Sequence, residues 1–360
     1  MRIVIFTHSL VSDWNHGNAH FLRGIASELL SRGHEFRILE PRDGWSLQNL
    51  LASSGPEAVE SFHDAFPGLR SQPYDLETLD LDRELGGAGL VIVHEWNAHE
   101  LVRRCGEYRA RRSDCALLFH DTHHRSVTDR EAMQAYDLRH YDGVLAYGAV
   151  IRDIYRSNNW ASRAWTWHEA ADTRVFYPRQ GAPDRDLVWI GNWGDGERAE
   201  ELNEFLIEPV RSLGLKATVY GVRYPQHALD QLEDAGIEYG GWLPNYRVPE
   251  VFARYRVTVH IPRRPYARAL PGIPTIRVFE ALGCGIPLIS APWSDCEHLF
   301  TPGRDYLMAK DGCVMKRHLE LVLSDKELTQ GIAAHGLETI RSRHTCAHRV
   351  DELLKIYESF

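Results

Sequence analysis

The residues best suited to chemistry lie between Leu270 and Arg304, in the stretch LPGIPTIRVFEALGCGIPLISAPWSDCEHLFTPGR. Pro274 suits the first turn of a helix, where its missing N–H has no intrahelical acceptor anyway, and Gly283, Gly285 and Pro287 end that helix abruptly. The pattern predicts a helix over Thr275 to Gly283. Its N-terminus would leave the amides of Gly272, Ile273, Thr275 and Ile276 unpaired at the positive end of the macrodipole, which suits a phosphate group, and the Thr275 hydroxyl adds a donor. Ile276 and Phe279 face inward, while Arg277 and Glu280 share another face, where a carboxylate can accept both hydroxyl hydrogens of a diol. A phosphate cradle followed one to two turns later by a diol-reading carboxylate fits the diphosphate and ribose of a nucleotide sugar. An ordinary strand-loop-helix element with an exposed Glu has the same pattern, and the residues alone leave both readings open.

Other polar residues gather at the ends of apolar runs. The runs GLVIVHEW and CALLFHDTHH read as buried strands whose ends carry His94, Glu95, Trp96 and Asn97, then His120, Asp121, His123 and His124. Open α/β sheets place ligands at such edges. A strand-end imidazole can equally just satisfy backbone groups. HDTHH invites a metal reading, but no HExxH or Cys/His spacing accompanies it, so no metal site is assigned. Arg263, Arg264 and Arg268 form a local basic patch after VTVHIP that can hold an anionic ligand.

These residues need a scaffold of alternating strands and helices. MRIVIFTHSL is a buried parallel strand, SDWNHGN a loop, and AHFLRGIASELLSRGHE a helix with Phe21, Leu22, Ile25, Leu29 and Leu30 on one side, ending at Gly33 before the strand FRILEP. The first loop has Gly17 and Asn18 but no G-x-G-x-x-G, so no dinucleotide cofactor is indicated. Residues 41–85 are less periodic, with short helical patterns around Leu47 to Ala52 and Glu57 to Phe66. The segment RQGAPDRD is polar and pattern-free, and DLVWIGNWGDGER restarts the strand-loop-helix scheme with Arg198 in the new helix's first turn. The expected organisation is an N-terminal Rossmann-like domain over 1–178, a second over 179–343, and a C-terminal helix over 344–360 that returns to the first.

At 360 residues the chain suits two well-packed domains. With 44% apolar and 25% charged residues, no run of eighteen apolar residues and no signal-peptide pattern, it reads as a soluble cytoplasmic protein with no transmembrane segment. A net charge of −9 argues against nucleic acid or an anionic membrane surface as partner. Six cysteines, at 105, 115, 284, 296, 313 and 346, show no C-x-x-C pair or compact disulfide spacing and read as reduced.

FEALGCGIPLIS, followed by an acidic-aromatic loop and FTPGRDYL, resembles the C-terminal motif of GT-B glycosyltransferases, in particular the group 1 and spore-maturation-protein (CgeB-like) branch, whose HT-x-x-HR ending HTCAHR also resembles. The resemblance covers the first βαβ unit and nearly all of 187–360. It implies an α/β chain of two Rossmann-like β/α/β domains facing each other across a cleft. The helix carboxylate, here Glu280, would bind the donor ribose. The GNWGDGER loop resembles the family's G-(S/N)-x-x-x-x-R pattern facing the diphosphate, which makes Gly191, Asn192 and Arg198 candidates. GGWLP resembles the loop bordering the nucleobase, with Gly241, Trp242 and Leu243 able to pack on it. Gly272, Ile273, Thr275, Arg277, Arg263 and Arg268 complete the donor-binding set. In retaining members a His after an N-domain strand lies near the donor sugar; LLFHDTHH places His123, or alternatively His120, there beside Asp121. The acceptor side would include Gly17, Asn18, His94, Glu95 and Trp96.

One departure matters. Retaining members carry two glutamates separated by seven residues, and the position eight before Glu280 is Gly272. The carboxylate that would touch the donor sugar is missing there, so neither sugar identity nor a retaining outcome follows. What is implied is transfer of a sugar from a nucleoside diphosphate sugar of unspecified base to an acceptor hydroxyl on a glycan, lipid or small molecule, with no bound cofactor and no metal. The alternatives are a non-hydrolysing nucleotide-sugar epimerase and a non-catalytic nucleotide-sugar-binding module.

Overall fold

A computed structural model describes every residue except Ser113 and Asp195. The chain forms two units, Met1–Glu169 with Cys346–Phe360, and Ala170–Thr345.

The first unit is built on seven strands, β1 (Arg2–Phe6), β2 (Glu35–Pro41), β3 (Ser71–Tyr74), β4 (Leu90–His94), β5 (Ala116–Asp121), β6 (Gly143–Ala146) and β7 (Ala164–Thr166), in the order β3-β2-β1-β4-β5-β6-β7. All pairs are parallel. A parallel sheet covered on both faces needs apolar residues on both sides of each strand, and RIVIF and LVIVH supply them: Ile3, Val4 and Leu90 to Val93 are wholly buried. Pro73 is tolerated because β3 is an edge strand. The helix Ala19–Ser31 covers the sheet through Phe21, Leu22, Ile25 and Leu29.

The final helix, Cys346–Tyr357, completes this unit. It packs on the Ala19–Ser31 helix, where Arg32 reaches Asp351 at 2.5 Å and the Ala347 carbonyl at 3.1 Å. The Trp167 indole donates to the Arg349 carbonyl at 2.8 Å, and the enclosed Arg349 guanidinium donates to the His168 carbonyl at 3.0 Å.

The second unit repeats the plan with β8 (Arg185–Ile190), β9 (Ala217–Tyr220), β10 (Ile237–Tyr239), β11 (Tyr255–His260), β12 (Leu288–Ser290) and β13 (Leu307–Met308), in the order β10-β9-β8-β11-β12-β13, again all parallel. Its core joins Leu187, Trp189, Val219, Val257 and Ile289 of the sheet to Leu202, Leu206, Met315 and Leu319 of the covering helices. Residues 170–178, expected in the first domain, pack in the second unit: Ala171 and Phe176 lie against Gly283, and the Ala171 amide donates to the His344 carbonyl at 2.9 Å. Of the polar stretch 179–186, residues 179–184 are thus a surface connection within a unit and the last two open β8. Among the described residues no helix is long and apolar enough to cross a membrane.

Candidate functional site

In both sheets the strand order reverses beside the first strand, between β1 and β4 and between β8 and β11. Loops leaving the carboxyl ends of such neighbouring strands run in opposite directions and open a crevice, the general ligand position in open α/β sheets.

In the second unit this point is spanned by one side chain. Arg198 directs Nε and Nη2 to the Asn192 carbonyl, the former at 3.1 Å, and Nη1 to the Ile261 carbonyl at 3.0 Å. It thereby ties the loop after β8 to the loop after β11. Its guanidinium also lies 5.0 Å over the Trp189 ring. Burial, followed by the charges of Arg263 and Arg277, lowers its pKa to about 9, so it is charged at neutral pH in a pole already rich in positive charge. The neighbouring backbones are close: a Cβ at Gly221 would lie 2.1 Å from the Gly191 oxygen, which also accepts the Tyr224 hydroxyl at 2.8 Å. The Asn192 side chain accepts from the Val222 amide at 2.9 Å. Gly191 and Asn192 therefore shape the loop through contacts within the protein.

The motif helix runs Ile276–Cys284, with Thr275 as N-cap and Gly285 in the left-handed conformation behind it. Pro274 precedes the cap instead of occupying the first turn, because Thr275 takes the extended conformation of an N-cap. The predicted cradle is only partly open. The Gly272 amide donates to the Ser294 carbonyl at 2.6 Å and the Ile273 amide to the Leu270 carbonyl at 3.4 Å. The Thr275 hydroxyl pairs with His260 Nε2 at 3.1 Å, and His260 Nδ1 pairs with Ser290 at 2.9 Å. Burial drives the His260 pKa down to about 3, so a neutral imidazole braces the cradle. His260 was not singled out from sequence, although its place at the end of VTVH is the signal used for His94 and His120.

Glu280 also differs from expectation. Its side chain is 0% exposed and paired with Arg277, which is 28% exposed. The i, i+3 spacing that was to turn both residues toward a ligand turns them toward each other. Arg277 is therefore the member of the pair that reaches the surface.

The basic patch is largely neutralised. Arg263 donates to Glu197 at 3.2 Å, and Arg264 to Glu201 at 2.7 Å and Glu200 at 3.1 Å. Arg268 is exposed on the short helix Arg264–Ala269. Trp242 and Leu243 are half-buried on the loop after β10, where Gly241 accepts the Gly221 amide at 2.8 Å.

In the first unit, His94, Glu95, His120 and Asp121 are all 0% exposed. His120 lies below the edge, its ring 4.9 Å from Trp167, 5.3 Å from His94 and 6.0 Å from Phe21, and burial lowers its pKa to about 3. Asp121 accepts the Tyr155 hydroxyl at 2.9 Å and the His123 amide at 3.2 Å; burial raises its pKa to about 6. Burial and the nearby Asp121 charge push Glu95 well above the carboxylate range, although it accepts the Thr122 amide at 3.0 Å. These groups organise the edge from within. His123 is half-buried, 5.0 Å edge-on from Trp96, whose exposure is 43%, and Arg125 lies 4.7 Å over that indole. Asn18 donates to Glu169 at 2.8 Å, with Gly17 half-buried before it.

Sequence reasoning missed His8 and His16. Their rings are 3.7 Å apart and tilted by 57°, and His8 is 5.5 Å from His94, which makes a cluster of imidazoles beside the β1–β4 reversal. His8 is the second residue after β1, so the strand-edge rule reaches it. Among the described residues, no three His, Cys, Asp or Glu side chains are arranged to hold a metal ion.

Residues 198–355 match the sequence model of the glycosyl transferase-like family. No curated protein matches the chain. Among solved structures, the chain is similar to Anabaena HepE in complex with UDP and glucose (14% identity, 100% of both chains, TM-score 0.71). It also resembles an alpha-glucosyltransferase in complex with UDP (12% identity, 99% and 100%, TM-score 0.71) and sucrose-phosphate synthase from Thermosynechococcus elongatus (12% identity, 99% and 98%, TM-score 0.67). The chain has the GT-B fold, and its residues 198–355 carry the sequence pattern of the glycosyl transferase-like family.

Proposed function

We propose that the protein transfers a sugar from a nucleoside diphosphate sugar to an acceptor hydroxyl. The observation that carries this reading is the positive pole at the β8–β11 reversal. Arg198 spans the two loops through backbone carbonyls, with Arg263 and Arg277 close enough to lower its pKa. Arg263 and Arg277 already have Glu197 and Glu280 as partners, but the enclosed Arg198 guanidinium is held by carbonyl oxygens, and a buried charge of this kind is stabilised when an anion joins it. A diphosphate is such an anion, and it becomes more negative as a leaving group. Preorganised donors at a site of growing charge are worth ~3 kcal/mol each in a barrier.

The match of residues 198–355 and the UDP complexes of similar structures make UDP-sugars the first donors to test. The donor set is Arg198, Arg263, Arg268, Arg277 and the amides around Thr275, with Trp242 and Leu243 beside the base and Glu280 behind Arg277. Partly exposed His123 is placed nearest the chemistry, and the buried His120 and Asp121 act as its support. Gly17, Asn18, His94, Glu95 and Trp96 form or underlie the acceptor side. One similar alpha-glucosyltransferase was solved with DNA, but a net charge of −9 disfavours a nucleic-acid acceptor here, and a glycan, lipid or small molecule is preferred. The finer reading is a metal-independent hexosyl transfer in the CgeB-like branch, by a cytoplasmic protein, with retention or inversion to be read from the product.

A thermal-shift panel of nucleotide sugars followed by assay of released nucleoside diphosphate tests the proposal. Stabilisation by a nucleotide sugar and acceptor-dependent release of UDP are expected. Turnover of the donor without an acceptor would replace transfer by epimerisation, binding without release would leave a binding module, and the absence of any nucleotide effect would overturn the reading. Turnover in EDTA and the anomeric configuration of the product by NMR decide metal dependence and retention.

A further inference from the structure

The loop after β12 places a carboxylate where position 272 has no side chain. Gly272 has φ +90°, and a Cβ built on it would lie 2.6 Å from Glu297 Oε1, 2.7 Å from Glu297 Cγ and 3.1 Å from Cys296 Sγ. No side chain fits at 272 while Glu297 stays in place. The approach is built from both sides. The Gly272 amide bonds the Ser294 carbonyl at 2.6 Å, which pins the loop before the motif helix to the loop after β12. The root of the second loop is fixed by Trp293, buried and stacked on Tyr306 at 6.2 Å. Its tip is fixed by Asp295, which accepts the Leu299 and Phe300 amides at 3.0 and 2.7 Å, with His298 in the left-handed region at φ +55°.

We propose that Glu297 determines donor specificity by accepting hydrogen bonds from hydroxyls of the sugar. The inference rests on the reading of the second unit as a nucleotide-sugar site. Gly272 is three residues before the N-cap Thr275, and three residues separate two points by at most about 10 Å. A sugar linked to a diphosphate at that N-terminus is therefore within reach of the carboxylate. A carboxylate repels the diphosphate itself, so the group it suits is the neutral, hydroxyl-bearing part of the donor. Its two oxygens accept from a pair of hydroxyls and discriminate against a sugar that lacks them. Sequence spacing within the motif could not have found it, because the carboxylate comes from 25 residues further along the chain.

The test is calorimetry with UDP and UDP-glucose on the parent, Glu297→Gln, Glu297→Ala and Gly272→Ala. Glu297→Ala is expected to keep UDP affinity within about threefold, or tighten it by removing a negative charge, while weakening UDP-glucose by about tenfold to a hundredfold. Glu297→Gln, which keeps one acceptor oxygen, falls between. Gly272→Ala, whose Cβ displaces the carboxylate, should reproduce the loss with Glu297 still in the chain. An unchanged ratio of UDP-glucose to UDP affinity in Glu297→Ala overturns the inference and leaves the donor-site reading standing. Equal weakening of both ligands also overturns it, since the loop would then serve the diphosphate. A parent that binds neither ligand overturns the reading of the site and the inference together.

Discussion

Replacing Glu280 separates stability from recognition. Its carboxylate is wholly buried and paired with the part-exposed Arg277 within one turn of a helix. Removing one member of a buried pair typically costs about 3–5 kcal/mol, because the other charge is left without compensation. Arg277 can turn its guanidinium to solvent, which places Glu280→Ala near the lower end, at about 3 kcal/mol. For a unit of this size that corresponds to a Tm drop of roughly 6–12 °C. Glu280→Gln keeps the shape and one acceptor oxygen and should cost about half as much. In the bound state Arg277 loses the partner that fixes its direction, so UDP affinity should fall about tenfold to a hundredfold in the Gln variant. Differential scanning calorimetry of the two variants, with isothermal titration of UDP into folded Glu280→Gln, gives both numbers. A Gln variant with unchanged Tm and unchanged UDP affinity would refute the reasoning at both steps. Lost stability with intact affinity would confine Glu280 to the fold.

Arg198→Met removes the tie between the Asn192 and Ile261 carbonyls and should weaken UDP at least tenfold; parental affinity by titration would remove Arg198 from the donor site. His123→Ala should lower turnover by ~10²-fold with UDP affinity nearly unchanged, whereas His120→Ala, emptying a site among Phe21, His94 and Trp167, should show mainly as a lower Tm of the first unit; the reverse pattern would move the reactive position to His120. The fold should lose stability in acid. His8 and His120 have folded pKa values of about 3 against 6.5 unfolded, with His16 and His94 also lowered by burial, so between pH 6.5 and 3 the unfolded chain binds more protons and stability falls as pH falls. Asp121, raised to about 6, and the raised Glu95 have the opposite sign and offset part of this. A Tm that stays flat from pH 6.5 to 4 in the parent and does not respond to His8→Gln would contradict that accounting.

The sheets were legible where strands are covered on both faces. RIVIF, LVIVH, ALLFHD and YRVTVH are runs that only a buried parallel strand needs, and all four form strands. The short edge strands SQPY and LM carry no such run and were missed. Strand-end position picked out His94, Glu95, Trp96, His120 and Asp121 alike, of which Trp96 is exposed and the other four are buried, because period and position cannot say what lies over a residue. That is why His120, Asp121 and Glu280 read as ligand-facing when they are buried. The donors of the motif loop were misjudged for a related reason: the Gly272 amide is occupied by Ser294, a partner 22 residues away, and Thr275 by His260 from another strand. The domain break follows a composition change in the sequence reading, whereas the two units divide by packing: Gly283 has no side chain, which lets Ala171 and the Phe176 backbone lie against it.

The return of the Cys346–Tyr357 helix to the first unit sets an order of events during synthesis. The second unit is one uninterrupted stretch, Ala170–Thr345, and all its strands are synthesised before the last helix of the first unit. Until then Trp167 lacks the Arg349 carbonyl, and the Ala19–Ser31 helix has an open face. The half of the chain made first is therefore finished last, and the apolar face awaiting its helix is the surface that a ribosome-associated chaperone would meet.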